Sequence, residues 1–437
     1  MKNDFKTVIK TGDSEIIADV AVVGAGAAGI PAAIAAARGG GKVVLLEEDL
    51  SIGGAPVDNF VCMPCGWPSM GIYKDMVDTL QNNFSLNDTG LQPDGGRHGI
   101  WYLPSSYEYV LNDMIRAEEN ITLMTGCRVS GVITEDAGNR TEVKGVTVTD
   151  RSKRKLVIKA KVTIDATGNG EVASLAGCEF MCGRESKDHY GEPHARDIAD
   201  SVVMPCTWMY ISSKFNGKSG LDFNSLNHRG FIESGHGWHT KADQGVYDRS
   251  TGLYLHWGAT AMCEDVNDDV KLGETQTEAF EKMKSDIDLL SQNGYAVYLP
   301  PKIGVRESRR IKGEDIITEC SQRSGVFPDD TVAVGEYWLD IWGEKISREE
   351  KQLPAHAITY RSLIPKNYEG LLTAGRCISA THIAMSAIRV QPVAAQMGQA
   401  AGVAAALAAM EDTKVRDIEI DVLRNKLVAS GIELNKY

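Results

Sequence analysis

The 437-residue sequence predicts an α/β protein: a parallel sheet covered by helices and built from both ends of the chain, with a mixed α+β segment inserted between them. Three observations carry this expectation. Residues 16–47 read as a complete strand–turn–helix–strand unit. The same small-residue, strand-then-helix style returns from about residue 354. Between roughly 180 and 350 that rhythm is lost, and histidine and tryptophan concentrate in short alternating stretches such as Leu253–Trp257. The length agrees, since a single core stops growing near ~250–300 residues.

The elements follow in order. Ile16–Val23 is a nearly continuous apolar run, the pattern of a strand buried on both faces. After Gly24–Gly29 an alanine-rich helix runs to Arg38, with Pro31 in its first turn, where a missing N–H does little harm. Gly39–Gly41 stops that helix, and Lys42–Glu47 is the second strand. Residues 61–103 are irregular apart from a helix at Met70–Asn83. A helix at Tyr107–Asn120 precedes β-rich stretches at Ile121–Thr134, Glu142–Thr149 and Leu156–Asp165. In Glu274–Gln292, Phe280, Met283, Ile287 and Leu290 recur at helical spacing. The expected division is a nucleotide-binding domain from residues 15–60, 104–180 and 352–437, a helical and loop insertion at 61–103, and a substrate domain at 181–351.

Composition excludes some classes of function. With 46 Lys+Arg against 59 Asp+Glu the formal charge is −13, which argues against binding a phosphate backbone. The small-residue stretch Pro392–Met410 is interrupted by Gln396 and Gln399, and no membrane insertion is expected from it. Charges appear at once after Met1, and the nine cysteines are scattered and odd in number, so the expected location is cytoplasmic.

Chemistry enters with Gly24-Ala25-Gly26-Ala27-Ala28-Gly29. Its spacing suits a tight turn, a close backbone approach to a pyrophosphate, and close helix–strand packing, at a helix N-terminus that favours anions. Glu47 ends the next strand, where a carboxylate can take both hydroxyls of an unphosphorylated ribose; FAD or NAD is favoured over NADP. Three further features separate FAD from NAD. Gly53-Gly54 offers a second close backbone approach, and Ala166-Thr167-Gly168 is a small turn after a strand. Gly375-Arg376 is followed by Arg389-Val390 just before a helix begun by Pro392, whose positive end can stabilise a reduced flavin.

These residues, together with Gly304–Arg310, Tyr360–Pro365 and Gly398–Gly402, resemble the bacterial FAD-dependent oxidoreductase family, which is related to the succinate dehydrogenase and fumarate reductase flavoproteins. The resemblance runs from about residue 17 to 410. It implies a glutathione-reductase-type, Rossmann-like FAD fold with an inserted substrate domain, and dehydrogenase or reductase chemistry on small molecules. Arg128 and Val129 complete the expected cofactor contacts. Two positions depart from the relatives. Ala55–Asn59 has no histidine for covalent attachment, so FAD is expected to be non-covalent, and Trp342 stands where a histidine is expected.

The catalytic candidates are His382, between Gly375-Arg376 and Arg389; His256, flanked by aromatics; and Arg306, one of a cluster with Arg309 and Arg310 that can hold a substrate carboxylate or make internal ion pairs. His236 and His239 lack further ligands, and no metal is expected. The reading is hydride transfer between flavin N5 and a small polar metabolite, with a separate electron acceptor or donor. Cys62-x-x-Cys65 keeps open a flavin-linked thiol–disulfide oxidoreductase, and a non-catalytic FAD-binding protein is the third reading.

Overall fold

Strand β1 (Glu15–Val23) lies inside the principal sheet, paired in parallel with β2 (Val43–Leu46) on one side and with β6 (Lys155–Asp165) on the other. Beyond β2 the parallel strand β3 (Ile121–Met124) follows. Beyond β6 come the antiparallel strands β5 (Thr141–Asp150) and β4 (Cys127–Asp136). The late strand β7 (Leu371–Thr373) joins in parallel along the end of β6. The computed structural model describes residues 15–84, 102–215, 221, 223–228, 230–233, 237–239, 253–342 and 346–436. All of β2 and the last four residues of β1 are buried, as their uninterrupted apolar sequence requires. Val23 pairs with both Leu46 and Asp165, Leu46 with Met124, and Thr373 with Asp165. Five parallel strands therefore end together, and the carboxyl edge of such a sheet is where ligands bind.

Two helices dominate one face of this sheet. Helix α1 (Gly29–Arg38) follows β1, and helix α2 (Gln391–Glu411) crosses it. A Cβ on Gly398 would lie 1.9 Å from the Ala28 carbonyl oxygen, and one on Gly402 would lie 2.2 Å from that of Ala32. Only glycine fits at either position. Among the described residues α2 is the helix long and apolar enough to span a membrane, yet 94% of that stretch is buried within the protein. Its two glutamines work as buried cross-links. Gln396 accepts from Val334 N–H (3.0 Å) and donates to Pro68 O (3.1 Å), while Gln399 accepts from Ile72 N–H (2.9 Å) and donates to Ser430 O (3.0 Å).

The inserted segment builds an antiparallel sheet ordered Gly237–His239, Gly230–Glu233, Leu253–Trp257, Tyr210–Lys214 and Tyr295–Tyr298. The helix expected at Glu274–Gln292 starts earlier, at Asp269, because the Asp268 carboxylate caps it by accepting from Val270 and Lys271 N–H. The expected strand Ile121–Thr134 is two strands, broken at the left-handed Gly126 (φ 69°). The helix expected at Tyr107–Asn120 spans Pro104–Arg116, with Pro104 at its first position.

His256 is fully buried in this second sheet. It stacks on Tyr210 at 4.4 Å, and its Nε2 lies 2.7 Å from Ser212 Oγ. Burial pushes the imidazole down to about 3. Strand alternation turns His256 into the core and leaves its neighbour Trp257 at the cavity described below, so the expected substrate-wall position belongs to Trp257.

Two outcomes follow. Gly398→Val forces the two helices apart; thermal unfolding should show a loss of at least about 1–3 kcal/mol. For His256, the folded value lies below the unfolded value of ~6.5, so its contribution to stability is complete above that pH and is lost as pH falls toward 3. His256→Phe should therefore reduce the stability lost between pH 7 and pH 5 by about 2 kcal/mol in denaturant titrations. An unchanged pH dependence would show that the ring titrates in the native state as it does in the unfolded chain.

Candidate cofactor and substrate site

A cavity of ≈ 1050 Å³ opens along the carboxyl edge of the parallel strands. Pockets for drug-sized ligands occupy ~300–1,000 Å³, so there is room for a dinucleotide and a small second molecule. Of the expected cofactor contacts, Gly24, Gly26, Ala27, Ala28, Glu47, Gly54, Arg128, Val129, Ala166, Thr167, Gly168, Gly375, Arg376, Arg389 and Val390 all line it. Gly29 and Gly53 do not, and their place is behind the wall. A Cβ on Gly29 would sit 1.7 Å from Gly24 O, and Gly53 N–H donates to Ala25 O at 2.8 Å.

One end of the cavity gathers the residues expected to take a ribose and a diphosphate. Glu47 Oε2 accepts from Ala25 N–H (2.7 Å) and Oε1 from Asp49 N–H (3.0 Å), which fixes the carboxylate at the tip of β2. Burial raises its pKa against the opposing pull of those two bonds. Nearby Arg128 reaches Asp269 (3.2 Å), Glu171 (3.5 Å) and Glu48 (3.8 Å), joining the principal sheet to the long helix of the insertion. Gly24 (φ 98°) admits no side chain, since a Cβ would lie 2.5 Å from Ala166 O. Gly26 and Gly54 face each other with a Cβ-to-Cα distance of 3.1 Å for any side chain added at Gly54. Helix α1 has no capping side chain at Ala28, and α2 has none at Val390. Ala27 and Ala28 at the start of α1 and Val390 and Gln391 at the start of α2 line the same cavity, so the positive ends of two helices face it, which suits the anionic parts of FAD.

The middle of the cavity is held by a buried turn. Asp165 accepts from Thr167 N–H (3.1 Å), Thr167 Oγ1 (2.7 Å) and Ala173 N–H (2.9 Å). Arg376 clamps the same turn, donating to Gly168 O (3.1 Å), Asn169 Oδ1 (2.7 Å) and Val305 O. Burial pushes its guanidinium down to about 10.

At the other end Arg306 donates to Pro205 O and Thr207 Oγ1, each at 2.6 Å, and lies over the Trp342 ring at 3.9 Å. Burial first, and then the neighbouring Arg389, lower it to about 9. Arg389 is matched by Asp340, with Nη2–Oδ2 at 2.6 Å. Tyr337 and Trp338, stacked at 4.1 Å, complete this wall with Trp257, Met63 and Met209. Sequence reasoning passed over these aromatics and Asp340, apart from the departure at Trp342. The tryptophan enrichment of residues 180–350 was the available signal.

His382 stands outside the cavity wall. Its Nδ1 lies 2.8 Å from Glu307 Oε2 and its N–H donates to Glu185 Oε2 (2.9 Å). Glu307 also pairs with Arg310 (3.2 Å), which pairs with Glu185 (3.0 Å). Burial opposes a charge on Glu307, but His382 and Arg310 together hold its carboxyl below the ordinary range. Arg310 therefore takes the ion-pair role open to it in the sequence. Cys62 is fully buried and Cys65 lines the cavity; burial pushes both thiols up, Cys65 to about 12, away from the reactive thiolate. His236 and the side chain of His239 lie outside the described residues.

The chain resembles known proteins at three levels. It is 31% identical over 169 residues to the tRNA uridine 5-carboxymethylaminomethyl modification enzyme MnmG of Pediococcus pentosaceus, covering 35% of this chain and 24% of that protein. The same enzyme of Bacillus subtilis is 31% identical over 143 residues, 29% of this chain and 21% of that one. The match thus spans about a quarter or less of these relatives. Among solved structures, a geranylgeranyl bacteriochlorophyll reductase-like protein of Thermoplasma acidophilum has 15% identity and a TM-score of 0.44, with 95% of this chain and 83% of that one covered. A flavoprotein/dehydrogenase of Cytophaga hutchinsonii has 13% identity and a TM-score of 0.41, with coverage of 95% and 86%. The model of the FAD dependent oxidoreductase family matches residues 19–427. The chain belongs to that family: it is an FAD-dependent oxidoreductase, and its cofactor is FAD.

Proposed function

We propose that this enzyme moves a hydride between flavin N5 and a small polar metabolite carrying hydroxyl or carboxyl groups. The observation supporting this reading is the continuity of one cavity, from Glu47 and the Gly26–Gly54 cradle to the arginine and aromatic wall around Arg306. Arg306 orients an anionic or strongly polar group of the substrate through its fixed fork. The α2 N-terminus favours negative charge on the reduced ring edge, and Tyr337, Trp338 and Trp342 keep bulk water away from the reacting centre. His382 acts at one remove: through Glu307 it anchors the segment that carries Arg306 to the one that leads into Arg389. It is a positioning residue in this reading.

An anaerobic screen of hydroxy acids, sugars and enoates tests the proposal. At least one compound class should bleach the flavin's visible band or, with pre-reduced enzyme, restore it. A panel in which none changes the band in either direction contradicts hydride exchange with such metabolites. The thiol–disulfide reading, favoured by the cavity position of Cys65, is separated in the same assay. Cys62→Ser/Cys65→Ser should turn over at the parent rate, whereas loss of turnover with FAD retained would establish the dithiol.

A further inference from the structure

Resting on that reading, the arginine end of the cavity narrows the substrate class. Arg306, Arg309, Arg376 and Arg389 line the cavity on this side, and the protein itself engages most donors of two of them. Arg389 is ion-paired with Asp340, and Arg376 spends its Nε, Nη1 and Nη2 on the Gly168–Asn169 turn and Val305. Arg309 lies 5.7 Å over the exposed Phe180 ring and donates to Asn169 O. Arg306 lies instead over Trp342, at the aromatic wall. Only Nη1 is engaged, by two neutral acceptors, and among the described residues neither Nε nor Nη2 has a hydrogen-bond partner, nor does the guanidinium have a carboxylate. A largely desolvated cation whose own hydrogen bonds go only to neutral acceptors is costly, and a ligand carboxylate relieves that cost through a two-point, charge-assisted pair.

The surroundings also fix the shape of what the carboxylate is attached to. Asp340 Oδ2 accepts from Trp342 Nε1 at 3.1 Å as well as from Arg389, so one carboxylate neutralises the second arginine and holds the indole under the first. The guanidinium lies 3.9 Å from the Trp342 ring centre, and the same cavity is lined by flat Tyr337, Trp338 and Trp257 and soft Met63 and Met209. Sugars call for many polar partners, and this wall offers few. A dicarboxylate would set its second anion against this apolar wall, where Asp340 already carries a negative charge.

We infer that the substrate is a monocarboxylate with a flat, apolar body, such as an aryl or unsaturated acid, held by Arg306 against the aromatic wall, with Asp340 as the residue that selects one carboxylate over two. Trp342, the departure from the relatives, is then part of the specificity.

Binding to the FAD-loaded protein tests this without turnover. trans-Cinnamate, neutral cinnamamide and the dianion fumarate are titrated while perturbation of the flavin band and heat of binding are followed. Cinnamate should bind roughly 10- to 100-fold more tightly than cinnamamide or fumarate, the range for losing a charge-assisted hydrogen-bonded pair. Arg306→Gln should abolish that preference and leave cinnamamide unchanged, and Arg306→Lys should restore part of it. Equal binding of cinnamate and its amide, or a preference that survives Arg306→Gln, overturns the inference. So does Arg306→Gln releasing FAD with folding intact by circular dichroism, because the guanidinium would then serve the cofactor. FAD content is read in the same samples: a yellow protein that ignores cinnamate overturns the carboxylate assignment alone, while a protein unable to hold FAD overturns the reading beneath it.

Discussion

The close crossing of α1 and α2 is the constraint on which the site depends. Gly398 and Gly402 let the two backbones approach until the carbonyls of Ala28 and Ala32 fill the space a side chain would occupy. The crossing sets the start of α1 against Gly398, about two turns into α2, so the start of α2 lies further along the same cavity. Neither helix has a capping side chain, and both begin at the wall of one cavity. The positive ends of both helices favour negative charge there, which an anionic dinucleotide would supply. The alanine richness of both segments is thus a packing requirement with a functional consequence. Larger residues would bury more apolar area but would separate the helix ends.

Electrostatics divides the cavity into zones. At the ribose end Glu47 is held by two N–H groups, and Arg128 and Lys302 are matched by Glu48, Asp49, Glu171 and Asp269. At the far end burial, and then repulsion from Arg389, depress Arg306 and Arg376, and one carboxylate, Asp340, serves Arg389. An acidic protein of net charge −13 thus contains an internal patch short of anions. Long-range charge and local charge have opposite signs, and the local one decides which ligand is held.

Much of the cofactor end was legible because its chemistry is local in sequence. Gly24, Gly26 and Glu47 are joined by a single strand–helix–strand unit, and Gly54, Gly168 and Gly375 follow strand ends or small turns with recognisable composition. The same logic did not distinguish glycines that face a ligand from those that face other backbone, and Gly29 and Gly53 belong to the second kind. The substrate end was less legible. Its wall gathers Met63, Met209, Trp257, Tyr337 and Trp342 from segments with no common period, so only the fold brings them together. His256 shows the limit most clearly. Its aromatic neighbours suggested a wall, but a period of two puts Trp257 at the cavity and His256 in the core. His382 is near the right segments yet turns to the buried Glu307.

The central claim is that two uncapped helix starts share one cofactor. A crystal structure of the natively purified, yellow protein tests it most directly. The account predicts one FAD per chain, in contact both with residues 24–29 and with residues 389–394. Density for FAD that touches only the first helix, leaving the start of α2 covered by protein side chains, would contradict it.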